Sequence, residues 1–282
     1  MESIKENIKD FNTDHIFDCG QCFRWEKDDD GSYTGTAKGK IARISLRDDL
    51  LTIDNCDEND FQDVWREYLD LDTDYSRIKE YLTQNDDDIK EAVSYGYGIR
   101  ILKQDFWETV VSFIISQNNN IPRIKGCIEG ICSRFGRYIG EYRGKEYYDI
   151  PEPEKMAGLS AEDLAPVKLG YRAPYLIKTA QQMIDMGGPE EVRKMLLTAE
   201  NPIEELQRFC GIGPKVASCI SLFGLGRMDA FPIDVWMRRV MNRVYGIEEK
   251  NIKAMNTYAA EHFGEYGGIA QQYLFYYIRD LK

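Results

Sequence analysis

Several things are scarce or missing in this 282-residue chain. No apolar run approaches the roughly 20 residues that a bilayer span needs, so no membrane partner is expected. Glu2-Ser3-Ile4-Lys5 after Met1 opens no apolar leader, so the expectation is a cytoplasmic protein without a targeting signal, of bacterial or archaeal type. Cysteines are few and odd in number: Cys19, Cys22, Cys56, Cys127, Cys132, Cys210 and Cys219 suggest reduced thiols rather than a disulfide scaffold. Cys19 and Cys22 form one CxxC with no second to complete a zinc site. No Cys follows Cys219, which argues against an iron–sulfur cluster. A basic excess is also missing. The 48 acids outnumber the 36 bases for a net charge of −12, which speaks against a protein that coats nucleic acid by bulk attraction.

What is present starts with 43% hydrophobic and 12% aromatic residues, which exclude wholesale disorder, over a length suited to two cores or one bipartite core. The acidity is local. Residues 1–95 hold 25 acids and 12 bases, or −13, leaving 48 − 25 = 23 acids and 36 − 12 = 24 bases, or +1, for the remainder. Any polyanion site therefore belongs to the last two-thirds, with the acidic face turned away from it and affinity falling steeply with salt. Short β-rich pieces (His15–Phe17, Gln21–Trp25, Tyr33–Thr36, Ile41–Leu46, Leu50–Ile53), broken at Asp30-Gly31 and Arg47-Asp48-Asp49, predict an antiparallel sheet. Beyond residue 58 the apolar spacing becomes helical (Phe61, Val64, Trp65, Tyr68; later Phe106, Val110, Phe113), and no strand is expected after about 98. With no low-complexity linker and no repeat, the expected fold is α+β: a small antiparallel sheet domain over 1–97 and a larger all-α domain over 98–282.

The most informative stretch runs from Asn201 to Cys219. Asn201 is a good N-cap, Pro202 suits the first helical position, and Glu204 completes a capping-box pattern. Gly211 stops the helix, and Pro214 opens another after only Ile212 and Gly213, so residues 202–224 read as a helix–hairpin–helix. Gly211, Gly213 and Val216 would offer main-chain N–H groups at a positive helix end, a site for a nucleic-acid phosphate. Charge agrees: residues 206–243 carry six bases against Asp229 and Asp234, a local +4. A tight turn between packed helices is the plainer alternative. Lys215, second in the new helix, reads equally as a solvated lysine or as a nucleophilic amine dehydrated by Val216, Ala217, Cys219 and Ile220. Asp234, 19 residues on, reads as the N-cap of a helix through Val235, Met237, Val240, Met241 and Val244 to Gly246, and can also stabilise a cation facing it.

A helix–hairpin–helix followed by Lys215 and Asp234 resembles the helix–hairpin–helix DNA glycosylase superfamily. Gly20-Gln21-Cys22-Phe23-Arg24-Trp25, Ser116–Ile124, Leu169–Ala173 and Ala270-Gln271-Gln272-Tyr273-Leu274-Phe275 resemble, in order, blocks of the 8-oxoguanine DNA glycosylases. The resemblance covers nearly the whole chain. It implies that 8-oxoguanine is flipped from duplex DNA opposite cytosine, and that its glycosidic bond and then the abasic strand are cut. By the same resemblance Lys215 is the Schiff-base nucleophile and Asp234 stabilises the oxocarbenium charge. The Gly20 carbonyl would accept the lesion's N7–H, Gln271 would read its Watson–Crick edge, and Phe275, Cys219 and Pro232 would enclose it. Asn118, Arg123, Tyr171 and Arg172 would fill the gap and meet the estranged cytosine, and Trp236 stands where a His phosphate contact is common. No cofactor is implied, although carbonyls of Gln207, Phe209 and Ile212 could hold a structural cation. A monomer is expected.

Two other readings stand beside this one. A glycosylase for other damaged bases would share the hairpin, Lys and Asp but act on a different lesion in a panel of duplexes. A non-catalytic helix–hairpin–helix DNA-binding module would lack the nucleophile and base pocket that Lys215, Asp234, Gln271 and Phe275 match.

Overall fold

The computed structural model describes residues 2–84 and 86–280. Five strands, β1 (Ser3–Asn7), β2 (Trp25–Lys27), β3 (Tyr33–Ala37), β4 (Lys40–Arg47) and β5 (Leu50–Asp54), form an antiparallel sheet in the order β1-β5-β4-β3-β2. Two-residue turns set the register. Lys38-Gly39 and Asp48-Asp49 both take positive φ, as hairpins that follow the sheet's right-handed twist require. Tyr33 thus pairs with Ile44 and Ile44 with Ile53, aligning buried side chains on one face. Against that face pack Phe17, Trp25, Trp65 and Tyr68, with Phe17 stacked on Trp25 at 4.4 Å and Trp25 Nε1 donating to the Tyr68 hydroxyl at 2.8 Å.

A second, mostly helical core runs from Tyr75 to Tyr276 and takes in Cys19 and Phe23. Its centre is the Phe106–Ser116 helix, which is apolar around most of its circumference and therefore buried on nearly every side. Phe113 from this helix stacks on Phe223 of the Pro214–Leu225 helix at 5.3 Å. The two cores are tied by polar contacts. Arg100, buried, donates to the carbonyls of Lys9, Asp10, Asp70 and Thr73. Arg24 pairs with Glu108 at 3.1 Å between the strand region and the central helix.

The structure departs from the sequence expectations in three places. His15–Phe17 is not a strand but the end of a helix, Thr13–Phe17, because the Asn12 side chain accepts from His15 N at 3.1 Å and caps it. Of Gln21–Trp25 only Trp25 enters a strand, and β1, whose single apolar residue is Ile4, carried no readable alternation. The region after 98 is not free of strands: β6 (Tyr138–Tyr142) and β7 (Lys145–Tyr148) form a hairpin around Arg143-Gly144, both at positive φ. This hairpin lays Tyr142 and Tyr147 on Ile41 of β4, so it is a satellite of the N-terminal sheet. Among the described residues no helix is long and apolar enough to cross a membrane.

Candidate active site and nucleic-acid interface

Three chain segments meet at the site, and each is placed by a local device. The first is the Gly20 turn, where φ is +83°, a conformation glycine takes without steric cost. The next residue anchors it. Gln21 is fully buried; its Nε2 donates to Ile16 O at 3.0 Å and Arg100 O at 2.8 Å, and its Oε1 accepts from Leu102 N at 2.9 Å. The Gln21 carbonyl in turn accepts from Gln104 Nε2 at 2.7 Å. A single amide thereby fixes the turn against a segment about 80 residues away.

The second segment is the hairpin. The Pro202–Leu206 helix starts at Asn201, whose side chain accepts from Glu204 N at 3.3 Å, the forward half of the expected box. Gly211 has φ +76°, and a Cβ there would lie 2.5 Å from the Tyr175 ring, so no other residue fits without a shift. Side chains from the Arg172–Asp185 helix brace the turn: Thr179 donates to Cys210 O at 2.7 Å, and Gln182 accepts from Cys210 N at 2.7 Å. Gln117 donates to Gly211 O at 2.9 Å. The Pro214–Leu225 helix then begins at Gly213 without a side-chain cap, and a Cβ at Gly213 would meet nothing within 4 Å. Pro214 has no N–H and Ala217 N already bonds Gly213 O, so Lys215 N and Val216 N are left facing outward at the helix's positive end. Of the carbonyls considered for a cation, those of Gln207, Phe209 and Ile212, that of Phe209 accepts from Ile212 N at 3.2 Å inside the turn. Among the described residues no three His, Cys, Asp or Glu side chains are grouped to hold a metal, and all seven cysteines are free thiols.

The third segment brings Asp234 and the last helix. Asp234 caps the Val235–Arg243 helix by accepting from Met237 N at 2.8 Å, so its role as a cap is realised. That helix stops at Arg243, a turn before Gly246. Gln271, Gln272 and Phe275 project from Gly267–Asp280. Together these segments close one cavity, lined by Gly20, Lys215, Cys219, Pro232, Asp234, Gln271 and Phe275, with Phe113, Phe223 and Gln272. The catalytic and base-binding residues read from the sequence are thus all in one place. The Lys215 ammonium lies 5.3 Å from the Phe113 ring centroid, a cation–π distance. Burial pushes the Cys219 thiol up, against the opposing pull of the nearby Lys215 charge, so the thiol stays neutral beside the amine. The cavity holds about 40 Å³. At about 15 Å³ per water this is room for some three waters, short of a purine. The Phe275 ring packs over Gly20, its Cε1 lying 3.5 Å from where a Cβ would sit.

The residues expected at the estranged strand gather at the start of the Ile121–Phe135 and Arg172–Asp185 helices. Asn118 is exposed in a left-handed turn (φ +48°), Arg123 is exposed with Nη2 donating to Lys168 O at 3.1 Å, and Tyr171 is exposed with its hydroxyl donating to Gln117 O at 3.2 Å. Arg172 differs. It is 3% exposed, and its guanidinium donates to the carbonyls of Gln117, Asn118 (2.9 Å) and Leu169 (3.1 Å). In this structure it props up the loop that displays Asn118. Trp236 is half-buried at the start of its helix with the Arg239 guanidinium 4.9 Å over its ring. Phe113 and Phe223, whose helical spacing marks them only as core, and Gln21 and Gln272, ordinary polar residues in sequence, were not singled out as site residues.

Residues 3–110 match the family described as 8-oxoguanine DNA glycosylase, N-terminal domain, and residues 111–263 match the HhH-GPD superfamily base excision DNA repair proteins. An N-glycosylase/DNA lyase of Saccharomyces cerevisiae is 30% identical over 268 residues, 86% of this chain and 71% of that protein. One of Arabidopsis thaliana is 28% identical over 92% of this chain and 75% of its own length. Among solved structures, the 8-oxoguanine glycosylase/lyase of Clostridium acetobutylicum, in complex with double-stranded DNA containing cytosine opposite 8-oxoguanine, superposes with a TM-score of 0.93 at 39% identity, over 99% of this chain and 96% of that one. A 3-methyladenine DNA glycosylase of Archaeoglobus fulgidus shares the fold at a TM-score of 0.74 and 19% identity.

Proposed function

The chain belongs to the HhH-GPD superfamily of base excision DNA repair proteins, within the 8-oxoguanine glycosylases, and on that premise we propose that it excises 8-oxoguanine paired with cytosine through a lysine Schiff base. It is a DNA N-glycosylase with AP lyase activity. What supports the finer reading is the cavity, where one candidate amine, one carboxylate and a set of base-sized walls converge.

The flipped nucleotide enters where Phe275 now covers Gly20. Moving that ring widens the small cavity, and the ring then stacks on the base from one side with Cys219 on the other. The Gly20 carbonyl accepts N7–H, the donor that guanine lacks. Lys215 Nζ, as the free amine, attacks C1′, and the glycosidic electron pair leaves with the base. One amine proton passes to O4′ as the sugar ring opens to an iminium on Nζ, which acidifies C2′–H. Loss of that proton expels the 3′-phosphate by β-elimination, and water then hydrolyses the iminium and returns the free amine. Asp234, held at a helix N-terminus by Met237 N, stabilises the positive charge that develops at C1′.

Around this centre the Lys215 and Val216 amides at the hairpin take a backbone phosphate, aided by Gly211 and Gly213, which let the chain approach closely. Trp236 flanks a neighbouring phosphate. Asn118, Arg123 and Tyr171 occupy the space left by the flipped base, with Arg172 holding their loop in place. A structural cation on the carbonyls of Gln207, Phe209 and Ile212 would sit beside that phosphate.

Single-turnover excision from duplexes carrying 8-oxoguanine, guanine or 3-methyladenine, each opposite all four bases, tests the reading. The expected result is release of 8-oxoguanine, fastest opposite cytosine. Release of 3-methyladenine but not 8-oxoguanine would replace it with the alkyl-base reading.

A further inference from the structure

Four buried side-chain polar atoms have no hydrogen-bond partner among the described residues: Thr36 Oγ1, Trp65 Nε1, Tyr273 Oη and Gln272 Oε1. Of these residues only Gln272 lines the cavity that contains Lys215 and Asp234. Gln272 is 4% exposed, as is Gln271 beside it. A buried acceptor left unpaired is costly, and its position in a binding cavity implies a donor that arrives with the ligand.

The other end of the same amide has a definite task. Gln272 Nε2 donates to Gln271 Oε1 at 2.8 Å, which fixes which way the Gln271 amide faces. The linked pair then offers a donor (Gln271 Nε2), an acceptor with a lone pair to spare (Gln271 Oε1) and a free acceptor (Gln272 Oε1). The Watson–Crick edge of a 6-oxo-2-amino purine runs O6 acceptor, N1–H donor, 2-amino donor. The two series are complementary. A 6-amino purine would set a donor against Gln271 Nε2 and an acceptor against Gln271 Oε1.

We propose that Gln272 is a second specificity-determining residue of the base pocket: its Nε2 orients Gln271, and its Oε1 accepts the 2-amino group of the flipped 8-oxoguanine. The inference rests on the reading of the substrate given above. It adds that the pocket reads the exocyclic amine, not only the oxidised edge. The orphaned acceptor acquires its partner when the base enters.

The test compares two duplexes, both opposite cytosine: one with 8-oxoguanine and one with 8-oxohypoxanthine, which lacks only the 2-amino group. Single-turnover excision is measured with the wild-type chain, Gln272→Ala and Gln272→Met, the last nearly conserving shape. The ratio of the two rates on one preparation does not depend on how much of a variant is folded. The expected wild-type ratio is about tenfold or more in favour of 8-oxoguanine, as for one hydrogen bond from a desolvated group. In both variants the ratio falls toward one, with the loss on 8-oxoguanine. A wild-type ratio near one, an unchanged ratio in the variants, or an equal fall on both substrates overturns the proposal. A wild-type chain that releases neither base but does release an alkylated one overturns the substrate reading itself, and this inference with it.

Discussion

Gln21→Leu is the substitution in which fold and site are most tightly coupled. Leucine fills similar space but removes the amide, leaving Leu102 N without its 2.9 Å acceptor and Arg100 O without its 2.8 Å donor, both buried. Orphaning a buried polar group costs about 1–3 kcal/mol, so two such groups amount to about 4 kcal/mol. That is a large share of the 5–15 kcal/mol that typically separates folded from unfolded chains. For a chain of this size about 2 °C accompanies each kcal/mol, which puts the expected fall in Tm at about 8 °C by circular dichroism. The functional effect is selective. On the proposed reading Gly20 faces the base, and an abasic substrate has none, so excision of 8-oxoguanine should fall at least ten times more than cleavage of a preformed abasic site. A Tm within 2 °C of wild type would refute the hydrogen-bond argument. Equal losses in excision and abasic cleavage would refute the link from Gln21 to Gly20.

Three further outcomes are expected. Asp234→Asn keeps a good N-cap for Met237 N and should leave thermal stability within about 0.5 kcal/mol, while loss of the charge lowers excision by about 10²–10³-fold; equal activity in single-turnover assays would remove the electrostatic role. Gly211→Ala places a methyl about 2.5 Å from the Tyr175 ring at φ +76°, so it should cost more than 1 kcal/mol in denaturant melts and weaken DNA binding in anisotropy titrations; wild-type values in both would mean that the hairpin turn tolerates a side chain. Phe275→Ala removes the cover of the small cavity and one stacking face; excision should fall, while binding of abasic duplex changes less than about threefold, and a larger loss on abasic duplex than on 8-oxoguanine would place Phe275 elsewhere.

What could be read in the sequence was local. The hairpin announces itself through Asn201, Gly211 and Pro214 because caps and positive-φ stops act within one turn, and Asp234 likewise, whose cap partner is Met237. The sheet was legible from Tyr33 to Ile53, where β-rich residues run between turn signals, but not at β1, with little apolar content to alternate. The β6–β7 hairpin was missed although Arg143-Gly144 is a turn signal, since its two short strands, Tyr138–Tyr142 and Lys145–Tyr148, are broken by glycine and charged residues and show no clean apolar alternation. Gln21 and Gln272 could not be found by pattern. The first works through backbone groups about 80 residues away, and the second through a neighbour's amide orientation that exists only once the last helix is packed. Arg172 shows the same limit from the other side. Arginine is surface by default, and only the left-handed turn at Asn118 explains why carbonyls converge on it and draw it inside.

The central claim is that Lys215 is the nucleophile. Borohydride added during reaction with an 8-oxoguanine–cytosine duplex should trap a covalent protein–DNA adduct in the wild-type chain, with the cross-link on Lys215 in the digested peptide. Lys215→Gln should still bind the duplex but give neither adduct nor released base. Base release by Lys215→Gln at the wild-type rate, or an adduct mapped to another amine, would contradict the account.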